Sequence, residues 1–598
     1  MSGIVGYIGY QVASPVLMQG LKKLEYRGYD SAGIILLEDN NIDIIKADGE
    51  LTSLEKKIKG QPHKSTVGIG YTRWAASGCP SDDDARPHTA FSAGFAVVHS
   101  GIIENCHTLW RMLQEKGHVL RSESDSEVLA CLLEHYYRGN LEEAVKSAVN
   151  DLKGSYALIA MCSQEKGKLV CACQDSPLFV GLGEGGNFIA SELPALLTHS
   201  SDVYILEEGE MAAVTTGEVA VYNSRGKISK APVRIEYNAS LAEKEGYDHF
   251  MLKEIMEQPR AVRDTLRGRF LPDGTVTLGD LGLSAADMRS LEKIVIVACG
   301  TSYHAGMMGK YILEKILRLS VEVDLASEFR YRDPLLTDKT LVVVISQSGE
   351  TADNLAALRL ARQEKTKTLA ITNVVGSSIA READSVLYTW AGPEISVAST
   401  KAYLTQLIAL YLITFQLAAA RKAVDESTLK ELGLGLQTLP AKIEEVLAKK
   451  NKIKKLGHQI AEWENVFYVG RNIDYTVALE GALKLKETSY IHAAALPTGE
   501  LKHGTLALVT EGKPFVVLAT RQHVLEKNIN SIKELKAQGA YVIAISFEED
   551  REALQEADQV FGLPRVPDIL APVLSALPLQ LMAYYAAVKR NCPVDQPR

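Results

Sequence analysis

The sequence has no basic stripe, no paired cysteines and no uninterrupted apolar run long enough to span a bilayer. Its net charge of −9 is spread along the chain, without the clustered Lys/Arg face that nucleic-acid binding requires. Neither nucleic acid nor a membrane is an expected partner, and an anionic ligand would need a local site. The most apolar stretch, LIALYLITFQLAAA, is too short to cross a membrane and contains Gln416, so it reads as a buried helix. The Met1 start carries no basic region followed by an apolar core, which argues against a secretory signal. Eight cysteines (Cys79, Cys106, Cys131, Cys162, Cys171, Cys173, Cys299, Cys592) are scattered without zinc spacing, and a chain of 598 residues needs no disulfide staples. No metal or cofactor is expected, and a reducing cytoplasm is the natural compartment. Cys171 and Cys173 in KLVCACQ fall on one face of an apolar strand and read as buried structural thiols.

What is present is an ordinary globular composition, 46% apolar and 23% charged, over a length that implies three or four domains. Up to about residue 225, short apolar runs such as GFAVVHSGII, SYALIAMC and NFIAS alternate with Gly-rich turns, the signature of β-sheets with a few helices laid on them. A polar connector over 226–248 follows. Beyond it, KIVIVACG, LVVVISQ and TLAITNV are buried-strand runs, each followed by a helical stretch, which predicts a doubly wound parallel sheet. The rhythm then repeats. NVFYVGRNIDYTVALEGALKLKE echoes KIVIVACGTSYHAGMMGKYILEK, so two tandem copies of one α/β unit are expected over 249–440 and 441–598.

In the first copy, ACGTSYH and ISQSGETAD each stand at the C-terminal end of a strand and open a helix, the edge of an open parallel sheet where ligands bind. Thr301, Ser302, Ser346, Ser348 and Thr351 offer hydroxyls, Gln347 an amide, and the glycines let backbone N–H groups approach an anion. The competing reading is that these hydroxyls are helix N-caps. Two such loops at equivalent strand ends, without a Walker lysine, favour a sugar-phosphate site. The matching loop of the second copy, LATRQHV, lacks the hydroxyls, so only the first copy is expected to hold phosphate.

CGTSYH, SQSGETAD, NVVGSSIARE, AGPEISVASTKA, ALEGALKLKE and GELKHG resemble the sugar isomerase (SIS) domains of the glutamine:fructose-6-phosphate amidotransferase (glucosamine-6-phosphate synthase) family, and the resemblance covers almost the whole chain. It implies an αββα glutaminase-like domain of the N-terminal nucleophile type over 1–225, followed by the two SIS domains. It places the C1–C2 proton transfer on Glu487, ring opening on His503 and a supporting cation on Lys484, and it adds Ser399 and Lys401 to the sugar-phosphate site. From spacing alone, Lys484 and Glu487 would read as a surface i,i+3 ion pair. A homodimer is implied as well, because sites of the family borrow a histidine loop from the neighbouring subunit. The family pattern continues past VDQPR into a short tail bearing a Schiff-base lysine, a position that lies beyond Arg598. HAAALPTGELKHG has Ala494 and Pro497 where the family shows Glu and a small residue, which points to a reshaped site.

The glutaminase half departs further. MSGIVGYIG places Ser2 where the family has its nucleophilic Cys, although serine serves that role elsewhere in this class. The family motif His-Thr-Arg-Trp-Ala-Thr-His-Gly appears as YTRWAASG, with Tyr71, Ala76 and Ser77 substituted and with Arg73 and Trp74 kept. Ser100 replaces the oxyanion-hole Asn beside Gly101, His88 remains in DARPH, and Asp125 matches the acid that holds the substrate amine. Substitutions that fall together on the chemistry while the scaffold glycines persist predict a silent glutaminase. Three functions therefore stay open: an amino-sugar-phosphate synthase using ammonia, free or from a partner; a sugar-phosphate isomerase or amino-sugar deaminase; and a non-catalytic sugar-phosphate binder.

Overall fold

The computed structural model describes residues 2–25, 28, 31–38, 41–49, 51–60, 63–73, 88–89, 94–120, 124–174, 176–197, 199–235, 244–278 and 282–597. They divide into two compact units, Met1–Ser240 and Leu241–Arg598.

In the first unit, the described strands form an eight-stranded and a seven-stranded sheet, each with antiparallel pairings. Ser2–Gly9 and Val67–Arg73 run side by side at the middle of the larger sheet, and Gly154–Cys162 and Phe95–Ile103 lie side by side in the smaller one. Residues alternate between two burial faces, as period-2 patterning requires. Ile4, Ile8 and Ile69 meet Val98, Ile159 and Val214 in the layer between the sheets, together with both Cys171 and Cys173. The outer faces are covered by helices: Ala13–Leu24 and Leu51–Lys59 on one side, Cys106–Glu115, Asp125–Tyr136 and Leu141–Asp151 on the other. This is the αββα arrangement that the family resemblance implies. Within 226–248, the short strands Gly226–Ile228 and Val233–Arg234 extend the sheet edges.

The second unit contains two five-stranded parallel sheets. In the first, strand order is Ser320–Leu325, Lys293–Ala298, Thr340–Ser346, Lys367–Thr372, Ser385–Tyr388; in the second, His492–Pro497, Asn465–Gly470, Pro514–Leu518, Tyr541–Phe547, Gln559–Leu563. Both follow the order 2-1-3-4-5, so each has its topological switch point between the first and third strands. The echo seen in sequence is therefore a repeated topology. One apolar core runs through both copies. The stretches Lys401–Arg421 and Asp568–Lys589 are long and apolar enough to cross a membrane, but 89% and 100% of their most apolar 18 residues are buried; Gln416, in the first, is half-buried. Helix Gly300–Leu317 of the first copy packs on Ile473–Ser489 of the second, which turns one face of the latter toward the first copy's switch point.

Candidate functional site

At that switch point, the ends of strands Lys293–Ala298 and Thr340–Ser346 enclose a cavity of about 280 Å³. Thr301, Ser302, Ser346, Gln347, Ser348 and Thr351 line it, as do Ser399, Lys484 and Glu487. The N-cap alternative fails on geometry. Helices Gly300–Leu317 and Ala352–Gln363 begin at Cys299 and Thr351, and neither residue caps its helix with a side-chain hydrogen bond. Ser346 Oγ accepts the Gly349 N–H at 3.1 Å, and Ser348 Oγ accepts the Glu350 N–H at 3.2 Å. Both hydroxyls are thus fixed by their acceptor side, and Ser346 Oγ also shares a 3.2 Å hydrogen bond with Thr351 Oγ1. The turn needs Gly349: its φ is +67°, and a Cβ there would stand 2.1 Å from Ser377 Oγ. Two helix N-termini with fixed hydroxyl donors make an environment suited to a phosphate dianion.

The opposite wall comes from helix Ile473–Ser489. Lys484 and Glu487 do form an i,i+3 ion pair, with Nζ to Oε2 at 2.6 Å, but the lysine side chain is only 1% exposed. Burial removes the surface-pair reading. Burial works against the Lys484 ammonium, yet the Glu487 and Glu480 carboxylates outweigh it and hold its pKa above the usual lysine value. Sequence reasoning missed Glu480, which is buried one turn before Lys484. It accepts from Thr301 Oγ1 at 3.2 Å, stands 2.8 Å from His304 Nδ1 and lies 3.8 Å from Lys484 Nζ. The signal was available in the i, i+4, i+7 spacing of Glu480, Lys484 and Glu487, which puts all three on one helix face.

Segment 394–401 closes the pocket. Glu394 accepts the Thr400 and Ala402 N–H groups at 2.8 and 3.0 Å and the Ser399 hydroxyl at 2.8 Å, which fixes Ser399 at the start of helix Lys401–Arg421. Lys401 does not line the cavity; its buried Nζ binds Glu257 at 2.7 Å. His503 does not line it either, and is exposed at the end of the 3-10 turn Thr498–His503.

The equivalent place in the second copy is arranged differently. Thr520, at the end of strand Pro514–Leu518, is a hydroxyl in the loop read as lacking them, but its Oγ1 and N–H both donate to Asp474, at 2.6 and 2.8 Å. Asp474 lies in the first turn of Ile473–Ser489 and is fully buried, with Arg521 nearby. Burial pushes its pKa up to about 6, against the pull of the Thr520 bonds.

In the first unit, the Ser2 backbone pairs directly opposite Arg73 across the central strands. Trp74, Ala76 and Ser77 and the side chains of Ser2 and His88 lie outside the described residues. Tyr71 is 1% exposed and joins the core between the sheets. Gly101 keeps φ +105°, and a Cβ there would come within 2.1 Å of the Ser155 carbonyl oxygen, so this position in strand Phe95–Ile103 requires glycine. Asp125 opens helix Asp125–Tyr136, and its Oδ2 stands 2.9 Å from Nε2 of the fully buried His99, whose Nδ1 is 3.1 Å from Ser126 Oγ. His99 was not singled out from the sequence, where it is a lone histidine in an apolar strand.

Comparison with known proteins agrees with this anatomy. A glutamine amidotransferase domain model matches residues 74–198, and a SIS domain model matches 287–415 and 459–590. The chain is 49% identical over 599 residues to a glutamine–fructose-6-phosphate aminotransferase [isomerizing] of Clostridium acetobutylicum, covering 100% of this chain and 98% of that protein. It is 44% identical over 600 residues to the protein of the same description from Thermus thermophilus, again covering 100% and 98%. Among solved structures, the C-terminal domain of glucosamine-fructose-6-phosphate aminotransferase from Francisella tularensis is 40% identical with a TM-score of 0.57, covering 60% of this chain and all of that one.

Proposed function

The chain belongs to the glutamine–fructose-6-phosphate aminotransferase family, and from that premise we propose that it converts fructose 6-phosphate to glucosamine 6-phosphate with ammonia rather than with its own glutamine hydrolysis. The observation that carries this reading is the single cavity in which the two hydroxyl loops of one SIS copy face the Lys484–Glu487 pair of the other. The phosphate sits against Ser346, Gln347, Ser348 and Thr351, with Thr301, Ser302 and Ser399 left for the sugar hydroxyls. Ammonia replaces the C2 carbonyl oxygen as water leaves. The Glu487 carboxylate then takes a proton from C1 and returns it to C2, while the Lys484 ammonium steadies the charge that develops between these steps. His503 is exposed and off the pocket of its own chain, which supports a homodimer in which the partner subunit's His503 opens the sugar ring. Ammonia reaches the site freely or from a partner protein, in the cytoplasm.

The silence of the glutaminase half rests on several changes at once. Serine replaces the thiol nucleophile, Tyr71 is committed to the core, and the asparagine donor of the oxyanion hole is Ser100. Loss of one such donor alone costs about 3 kcal/mol of transition-state stabilisation. Incubation with fructose 6-phosphate and glutamine, ammonium or neither, followed by assay of glucosamine 6-phosphate, glucose 6-phosphate and glutamate, tests every part. Amino sugar formed with ammonium but not with glutamine is the expected result. Brisk glutamate release would overturn the nitrogen source. Glucose 6-phosphate without nitrogen would mark an isomerase, and silence with sugar phosphate bound would mark a non-catalytic binder.

A further inference from the structure

We propose that Glu254 is a positioning residue, held as a neutral carboxylic acid, that fixes the 394–399 wall of the sugar-phosphate pocket; this rests on the sugar-phosphate reading of that pocket. Glu254 lies on helix Phe250–Met256 and is 2% exposed. Its Oε1 accepts the backbone N–H groups of Ile395 and Ser396, next to Val397, which lines the cavity. Its Oε2 is buried without a hydrogen-bond partner among the described residues. An ionised carboxylate would leave charge on that oxygen with no donor to meet it, whereas a neutral acid leaves only one hydroxyl unanswered.

The charge balance of the cluster points the same way. Lys401 pairs with Glu257, and Lys253 pairs with Glu257 and with the half-exposed Glu245. Glu394, on the wall itself, faces Glu254 electrostatically. Both buried lysines lie at ion-pair distance from Glu257, and Glu394 is met by three donors of its own segment and by the Lys484 charge, whereas Glu254 has no lysine within ion-pair distance among the described residues and feels only the more distant Lys401. Burial first, and then the Glu394 charge, raise its pKa well above the usual carboxylate range. At the start of the helix, Asp595 accepts the Phe250 and Met251 N–H groups and pairs with Lys244, its backbone carbonyl accepts the Val397 N–H of the same wall, and His249 meets the Tyr584 hydroxyl.

As pH rises through the Glu254 ionisation, a second negative charge beside Glu394 loosens the wall that carries Ser399. Glu254→Gln keeps the carbonyl oxygen that receives the two N–H groups and cannot ionise. It should hold KM for fructose 6-phosphate within about twofold of wild type and abolish the rise of KM at high pH, while Glu254→Ala should raise KM about tenfold at every pH and change kcat little. Glu254→Gln as damaging as Glu254→Ala at neutral pH, or a KM profile that Glu254→Gln leaves unchanged, would overturn the proposal. Infrared difference spectroscopy of wild type against Glu254→Gln on the full chain reads the proton directly, without substrate and without the alanine variant. A neutral carboxylic C=O band missing from the variant is expected at neutral pH, and a carboxylate band instead would overturn the proposal even if fructose 6-phosphate proved not to be the substrate.

Discussion

The two halves of the unit Leu241–Arg598 carry the same sheet in the same strand order, yet they treat the switch point in opposite ways. In the first copy, the strand ends leave hydroxyls and helix N-termini open to a cavity. In the second, the chain supplies its own anion: Asp474 takes the Thr520 hydroxyl and N–H that would otherwise face a ligand. The second copy is not idle, however. Its helix Ile473–Ser489 delivers Glu480, Lys484 and Glu487 to the first copy's cavity, so that on the proposed function one copy would bind and the other react. On that reading a repeated fold divides the work of a single site between its two copies, and only one of the two switch-point edges needs to stay open.

The largest effect should come from breaking the reacting half. Glu487→Gln removes the base and should lower turnover by about 10³-fold, the usual scale for a positioned proton-transfer group, while titration with fructose 6-phosphate still shows binding through the first copy's loops. Turnover within a factor of ten of wild type would take Glu487 out of the chemistry.

Asp474 tests the self-filled edge. Its folded pKa of about 6 lies above the unfolded value of 3.8, so the unfolded chain gives up this proton first as pH rises. The associated stabilisation is fully present below about pH 4 and is lost by about pH 6, a change on the order of 3 kcal/mol. Asp474→Asn keeps acceptors for Thr520 without the charge. Its melting midpoint should match wild type near pH 4 and exceed it at pH 7, in scanning calorimetry of the full chain. Parallel midpoints at both pH values would show that Asp474 is not carrying a buried charge.

Ser348→Ala tests the open edge in the first copy. A hydrogen bond to a charged phosphate is worth about 1.5–3 kcal/mol, so KM should rise roughly 10- to 100-fold with kcat preserved. A fall in kcat at constant KM would mean that Ser348 touches the reacting carbons rather than the phosphate.

Much of this was legible in the residues. Strand runs with trailing helices announced parallel sheets, and the echo between 293–315 and 465–487 announced the repeat, because buried strands and helix starts are local patterns. SQSGETAD pointed to the cavity it lines because hydroxyls and glycines cluster within a few residues. What stayed hidden depends on how one copy packs on the other. From spacing alone ALEGALKLKE offers a surface ion pair, and only the contact with helix Gly300–Leu317 shows that Glu480 meets Thr301 and His304. Lys401 carried a site motif but is spent on Glu257, 144 residues away in sequence. Asp474 looked like any acid in a first helical turn until Thr520 was placed against it.

The smallest expected effect separates the two edges most cleanly. Thr520→Ala removes the hydroxyl that donates to Asp474 at 2.6 Å and leaves the backbone N–H in place, so a buried carboxylate keeps one donor of two. The loss should be about 1–2 kcal/mol of stability, seen as a lowered melting midpoint at pH 7. At pH 4, where Asp474 is protonated in the folded chain, the deficit should shrink, since a neutral acid depends less on its donors. KM for fructose 6-phosphate should not move, because neither Thr520 nor Asp474 lines the first copy's cavity. A rise in KM comparable to that of Ser348→Ala would mean that the second copy's edge does take part in ligand binding, and that the division of labour between the copies is less complete than their hydrogen bonds describe.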